Sequence, residues 1–155
     1  MIYARNESAN APMAEAIPQT SSGLRVLVVD DNQDAADTLA LLLEPLGYEV
    51  HVAYEGLAAL RAVRSFDPDA VILDIGLPDL DGYAVARRIR QIPARHHVEV
   101  IALSGWCRDE DRLRSARSGI DSYFAKPADP AQIVQVLARV AARKNRRARS
   151  ALKSN

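Results

Sequence analysis

Thiol chemistry is nearly absent from this chain. One cysteine, Cys107, stands in 155 residues, which excludes an internal disulfide and fits a reducing compartment. A plain loop thiol is the reading of it, since nothing around it points to a lowered pKa. No apolar stretch approaches the roughly 20 residues that a membrane span needs, and the N-terminus has no apolar signal-peptide core. No membrane partner is expected, and a cytoplasmic location is. Acidic residues are missing from the C-terminal segment, where Arg139, Arg143, Lys144, Arg146, Arg147, Arg149 and Lys153 follow one another uncompensated. The formal net charge is zero, so the body before them is acidic. A run of like charge is ordinarily a solvated face, so contact with nucleic acid is the less favoured reading of it, beside an acidic partner or none.

What the chain does have is enough apolar content, 48%, for one core of ordinary size. Residues 1–23 mix Ala, Ser, Asn, Pro and Gln without a period and read as a mobile leader. Leu24–Val29 is a buried strand that stops at Asp30 and Asp31. Asp34–Leu46 places Ala35, Leu39, Leu42, Leu43 and Leu46 at helical spacing, with Gly47 where a helix ends. Tyr48–Ala53 alternates polar and apolar residues, as an edge strand does. Gly56–Phe66 is a second helix on Leu57, Leu60 and Val63, broken by Asp67-Pro68-Asp69.

Ala70–Leu73 is an uninterrupted apolar run leading into Asp74, the pattern of a strand buried on both faces. A third helix covers Tyr83–Gln91 on Val85, Ile89 and Ile92. The adjacent His96 and His97 in the next connection read as solvated, because no third ligand accompanies them. Val98–Leu103 is a fourth strand ending at Ser104-Gly105. The charged segment Asp109–Ser118 has only Leu113 and Ala116 to bury and should be the weakest helix. Ser122–Ala125 is a fifth strand ending at Lys126-Pro127. Asp129 then caps a last helix on Ile133, Val136, Leu137 and Val140.

Strict alternation of strand and helix implies a doubly wound α/β fold with a parallel five-stranded sheet and helices on both faces. Residues that follow the strands gather on one rim, and ligands bind where the strand order reverses. In the order 2-1-3-4-5, Asp30, Asp31 and Asp74 converge there, with Ser104 and Lys126 beside them. Two like charges about 4 Å apart repel by about 4 kcal/mol at an effective dielectric near 20, so one lysine cannot balance three carboxylates. A divalent cation can. Oxygen ligands with room for water suit Mg²⁺, or Mn²⁺, over zinc or a calcium cage. A carboxylate nucleophile, a cation, a hydroxyl and an ammonium together make a phosphoryl-transfer site, whose product is an aspartyl phosphate.

These residues resemble the receiver (CheY-like) domain of two-component response regulators: the acidic pair Asp30-Asp31, Asp74 in LDIGLPDLDGY, Ser104 in ALSG, Tyr123 in the fifth strand, and Lys126-Pro127. The wording around Asp74 and in IALSGW is similar to receivers attached to hybrid sensor kinases. The resemblance covers Leu24 to about Ala142 and implies a (βα)5 flavodoxin-like sandwich at 24–142, followed by a basic tail at 143–155 without an output domain. It implies that Asp74 takes the phosphoryl group from a phosphohistidine on a sensor histidine kinase or histidine phosphotransfer protein. Asp31, Asp74 and the Gly76 backbone carbonyl would bind Mg²⁺ directly, and Asp30 through water.

Lys126 and Ser104 would hold the phosphoryl oxygens, and Tyr123 would change rotamer as Ser104 is drawn in. A cis peptide before Pro127 would place the ammonium. Gly76 opens the path of water to the phosphoryl group, and Trp106 would cover it. Signalling would run through protein contacts on the face of helix four, strand five and helix five, by which a dimer could also form, so the chain is not a conventional enzyme. The alternatives are a Mg²⁺-dependent aspartate-nucleophile phosphatase of the haloacid-dehalogenase type and an unphosphorylated pseudo-receiver scaffold. The first lacks its Asp-x-Asp spacing after strand one, and the intact site weighs against the second.

Overall fold

Short β-branched runs alternating with amphipathic segments pack as a parallel sheet whose crossovers lay helices on both faces. The computed structural model of the chain, which describes residues 23–95, 97–105 and 109–154, has this arrangement. Strands β1 (Arg25–Val29), β2 (Glu49–Ala53), β3 (Ala70–Asp74), β4 (Glu99–Ser104) and β5 (Ser122–Ala125) form one parallel sheet in the order β2-β1-β3-β4-β5. Helices α1 (Gln33–Leu43), α2 (Gly56–Phe66), α3 (Gly82–Gln91), α4 (Asp109–Arg117) and α5 (Pro130–Lys153) connect and follow them. The doubly wound, flavodoxin-like architecture and the edge position of β2 are as the sequence implies. The expected leader up to Ser22, His96, and the Trp106 and Cys107 positions lie outside the described residues.

Alternating side chains of the central strands feed two cores. Leu27, Val29, Val71, Leu73 and Val100 pack against Leu60 and Val63 of α2 and Val85 and Ile89 of α3. Val26, Val28, Ile72 and Ile101 face the other way, onto Leu43 of α1 and Ile133, Val136, Leu137 and Val140 of α5. Each such side chain contributes about 1.5–3 kcal/mol on burial, so α5 is firmly held along this stretch.

Three helical faces differ from the spacing-based reading. In α1 the buried residues are Ala36, Ala40 and Leu43, while Ala35 and Leu42 are exposed. Small alanines let this helix approach the sheet, and the apolar stripe is turned by about one position. In α2, Leu57 is exposed, and Gly56 and Ala59 are inside with Leu60 and Val63. In α4 the expected Leu113 and Ala116 face solvent, and Ser115, with Ser118 just past the helix end, is buried instead. Their hydroxyls donate back to the carbonyls of Asp111 and Arg114, so the helix satisfies them itself. α4 therefore contributes almost no apolar burial, and it is the least anchored helix, as its composition implies.

Caps fix the helix starts at the rim where the strands end. Asn32, Asp81 and Asp129 accept from the backbone of Ala35, Ala84 and Ala131, one turn into α1, α3 and α5. α2 has no side-chain cap of its own. Asp79, from the loop after β3, reaches across and accepts from the Gly56 and Leu57 amides at 2.9 and 3.1 Å. α5 runs without a break through the expected boundary at residue 142 and continues to Lys153. No helix among the described residues is long and apolar enough to cross a membrane.

At the opposite rim Arg90 of α3 ties the α4–β5 turn down. It donates to the carbonyls of Gly119 and Val98 and pairs with Asp121 at 2.6 Å. Gly119 has φ +84°, and a Cβ there would lie 2.7 Å from Arg90 Cγ. Gly119→Ala is therefore expected to cost about 2 kcal/mol, through backbone strain and displacement of the arginine. A lower urea midpoint with an unchanged m-value is the measurement that checks it.

Candidate functional site

Register places the chemistry in one row. Val29 pairs with Leu73, so Asp30 and Asp74 stand level just beyond them, and Asp74 itself pairs with Leu103. Ser104 is the next residue of β4 and pairs with Ala125, after which Lys126 emerges. Backbone bonds carry the pairing past the strand ends: Asp30 N–H donates to Ala53, Ile75 N–H to Leu103, and Lys126 N–H to Ser104 at 2.7 Å. The loops leave the sheet rigidly, and the side chains they carry are aimed rather than loose.

The β3–α3 loop is pressed onto this rim. A Cβ on Gly82 would meet the Asp74 carbonyl oxygen at 2.8 Å and Ile75 Cα at 2.7 Å. Only glycine lets the start of α3 lie against the backbone of Asp74. With Asp79 clamped to α2, both ends of the loop are fixed, and Gly76 lies exposed between them beside the carboxylate.

Asp30, Asp74 and Ser104 are buried, while Asp31 is exposed. Carboxylate oxygens of Asp30, Asp31 and Asp74 all lie within 4.8 Å of one another, and His97 is not part of the group. The Lys126 Nζ stands between two of them, 3.1 Å from Asp30 Oδ2 and 3.2 Å from Asp74 Oδ1. Backbone amides complete the arrangement: Asn32 N–H donates to Asp30, and Gly76 N–H donates to Asp74 at 3.2 Å.

Charge is not balanced here. Burial, reinforced by the Asp30 carboxylate, pushes the Asp74 carboxyl above its ordinary value, and Lys126 and the Gly76 amide only partly offset this. Burial works against the Lys126 ammonium too, but its bond to Asp30 and the charges of both aspartates outweigh it, and its pKa rises. Both groups hold protons more tightly than usual, which is the response of a site short of positive charge. A divalent cation fits that deficit, and the ligands present are oxygens, the donor type that Mg²⁺ and Mn²⁺ take.

Tyr123, on β5, is half buried and sits one step behind the site, paired with Ala102 of β4. Its neighbour was not legible in the spacing. Tyr83, in the first turn of α3, is buried, and burial raises its hydroxyl's pKa, with Ser115 of α4 and Tyr123 its polar neighbours. Arg114 of α4 lies 4.3 Å above the Tyr83 ring and pairs with Asp81. The phenol thus joins the helix that begins against Asp74 to the most weakly packed helix. Lys126-Pro127 is a cis peptide, as the resemblance implies.

Comparison with known proteins agrees with the geometry. The family model for the response regulator receiver domain matches residues 26–138. The chain belongs to the response regulator receiver family. It is 39% identical over 131 residues to the transcriptional regulatory protein PrrA of Mycobacterium bovis, covering 84% of this chain and 54% of that one. A 14.6 kDa protein from the sodA1 3′ region of Leptolyngbya boryana is 34% identical over 119 residues, 77% of this chain and 91% of its own. The receiver domain protein of Methanospirillum hungatei superposes with a TM-score of 0.74 at 25% identity, covering 80% of this chain and 98% of that one. The chain spans about half the length of PrrA. It is thus a receiver domain of two-component signalling, whose members work with histidine kinases and bind Mg²⁺ at an acidic pocket.

Two outcomes follow from these contacts. Because the native pKa of Asp74 lies above its ordinary 3.8, the folded receiver binds the proton more tightly than the unfolded chain. Stability then falls as pH rises from that value through the native pKa. Without divalent cation, Asp74→Asn should raise the urea midpoint at pH 7 and leave it unchanged at about pH 3, where both states are protonated. Tyr83→Phe keeps the ring under Arg114 and removes the buried hydroxyl. It should cost about 1 kcal/mol and speed amide exchange in α4 more than in α5.

Proposed function

We propose that this receiver accepts a phosphoryl group from a phosphohistidine onto Asp74 and passes the signal on through protein contacts. The observation that carries the reading is the meeting of Asp30, Asp31 and Asp74 at one rim, with the Lys126 ammonium between Asp30 and Asp74. A site built only for stability has no reason to bury two carboxylates against each other.

Asp31, Asp74 and the Gly76 carbonyl would hold the cation, and Asp30 would act through water. Bound Mg²⁺, or Mn²⁺, supplies the charge that three carboxylates and a phosphoryl group require. The nucleophile is an Asp74 carboxylate oxygen. It attacks phosphorus in line, the P–N bond to the donor imidazole breaks, and the imidazole leaves with the electron pair. Lys126 shifts from Asp74 to the incoming phosphoryl oxygens, and the Ser104 hydroxyl donates to another. Gly76 leaves the face above Asp74 open to water. The donor is a sensor histidine kinase or a histidine phosphotransfer protein, and the setting is cytoplasmic.

A cavity of about 740 Å³ lies between α1 and the turn after β5, lined by Leu39, Leu42, Lys126 and Pro127 among others. It supports docking of a donor helix next to the site. On the output side, Ser104 drawn toward the phosphoryl group vacates space into which Tyr123 turns. α4 is the helix with least to lose on moving, and its Leu113 is 61% exposed, an apolar contact for a protein partner or a second copy on the α4–β5–α5 face.

Incubation with acetyl phosphate and Mg²⁺ tests this. A covalent phosphoryl adduct, stable in acid and labile in base, is expected by mass spectrometry of the intact chain and is lost in Asp74→Asn or with chelator. Lys126→Ala should slow its formation by about 10²-fold, the usual effect of removing one charge-stabilising donor. Absence of any adduct in the wild-type chain overturns the reading in favour of a scaffold, and sustained turnover of phosphate esters favours a phosphatase.

A further inference from the structure

α5 is 24 residues long, against 9–11 for the other helices. Its last buried residue is Ala141, and residues 142–154 are exposed along their whole length. The helical form turns the basic run into a pattern. Arg139, Arg143, Arg146, Arg149 and Lys153 succeed one another at intervals of three and four, so they line one face, a stripe of about 21 Å at 1.5 Å per residue.

At its root the helix is fixed to the domain. Arg143 pairs with Glu99 at 2.6 Å and Lys144 with Asp69 at 2.9 Å. Both acids stand where β4 and β3 begin, at the rim opposite the aspartates. Beyond this anchor, Arg146, Arg147, Arg149 and Lys153 have no ion pair among the described residues. Like charges three and four apart repel, and the stretch has no acidic residue to relieve them. Few short helices without packing hold together on propensity alone, and this one works against its own electrostatics. A polyanion laid along the stripe reverses the sign of that effect.

We infer that the distal half of α5 is a docking surface for the phosphate backbone of duplex nucleic acid. Charge complementarity is the basis. Three of the four cations beyond the anchor are arginines, whose planar forks suit phosphate oxygens. A bare helix about 10–12 Å across fits a major groove about 12 Å wide. Other occupants match less well. After Ala141 the apolar residues are Ala142, Ala148, Ala151 and Leu152, too few and too small for a helix that inserts into lipid. They also give no heptad seam for a second copy, whose like charges would repel. The rest of the chain carries seven more acids than bases, so a polyanion is held at the projecting helix and kept off the domain. Binding is then non-specific in sequence, salt-sensitive, and independent of the chemistry proposed for Asp74.

The test uses the full chain, a fluorescein-labelled duplex of about 20 base pairs and fluorescence anisotropy at 50 and 200 mM KCl. Four to five released counterions should weaken binding by about two orders of magnitude between those salts. Arg146→Gln/Arg149→Gln/Lys153→Gln should weaken it at least tenfold at 50 mM and reduce the logarithmic salt slope by about 3. The same variant should form the acetyl phosphate adduct at the wild-type rate, which separates lost charge from lost fold. No binding at 50 mM overturns the inference. So does equal binding by the variant, or tighter binding to polyglutamate or phosphatidylserine vesicles than to the duplex.

Discussion

Everything in this receiver is arranged around a repulsion. Parallel pairing of β1 with β3 leaves no choice about where Asp30 and Asp74 go. The register sets them level, both buried, and Asp31 follows one residue later. At about 4 kcal/mol for a like pair near 4 Å, an uncompensated site would spread or stay protonated. The Lys126 ammonium prevents the first, and the raised pKa of Asp74 is the trace of the second. A resting site so poised favours added positive charge. It also has a lysine that already bridges two of the carboxylates, Asp30 and Asp74.

Around the repulsion the loops are fixed with unusual care. Asp79 serves as the missing cap of α2, so the segment carrying Asp74 is held by a neighbouring helix rather than by itself. Its carboxylate is held below the ordinary range by the Gly56 amide first of all. Gly82 brings the next helix into contact with the Asp74 backbone. The weakest packing is left to α4, which buries only Ser115 and lies against the Tyr83 ring through Arg114. A change at Asp74 has a short route there: Ser104 is next to Lys126 through a backbone bond, Tyr123 precedes Lys126 on β5, and Tyr83 touches Tyr123. The route ends at α4, which has the least apolar burial of the described helices.

How much of this the sequence discloses depends on the kind of contact. Strand order and the acidic rim were legible, because both follow from continuous apolar runs that end in charge: Leu73 into Asp74, Val29 into Asp30. Helix faces were less so. Spacing cannot tell Ala36 from Ala35 when both are small, and it favours Leu113 over Ser115 because it does not count hydroxyls satisfied by the preceding turn. Tyr83 reads from spacing only as the first residue of a helix, since its neighbours Ser115 and Tyr123 are distant in sequence and polar. Asp79 looked like a turn residue in PDLDG, and its trans-capping of α2 depends on a tertiary approach that no local pattern encodes.

Charge separation is the second constraint of the molecule, and it acts along the sheet axis. Acids gather at the C-terminal ends of the strands, where Asp74 lies, while the excess of bases sits on α5 beyond the N-terminal ends. Glu99 and Asp69 mark the border, each holding one base of the helix root. At physiological ionic strength the screening length is about 8 Å, so the two ends scarcely sense one another through solvent. Adding negative charge at Asp74 therefore leaves the field at the distal helix almost unchanged. Any coupling between phosphorylation and contacts made by that helix has to be mechanical, carried by β5 and the body of α5. The apolar face of Ile133, Val136, Leu137 and Val140 is the part of α5 that would carry it.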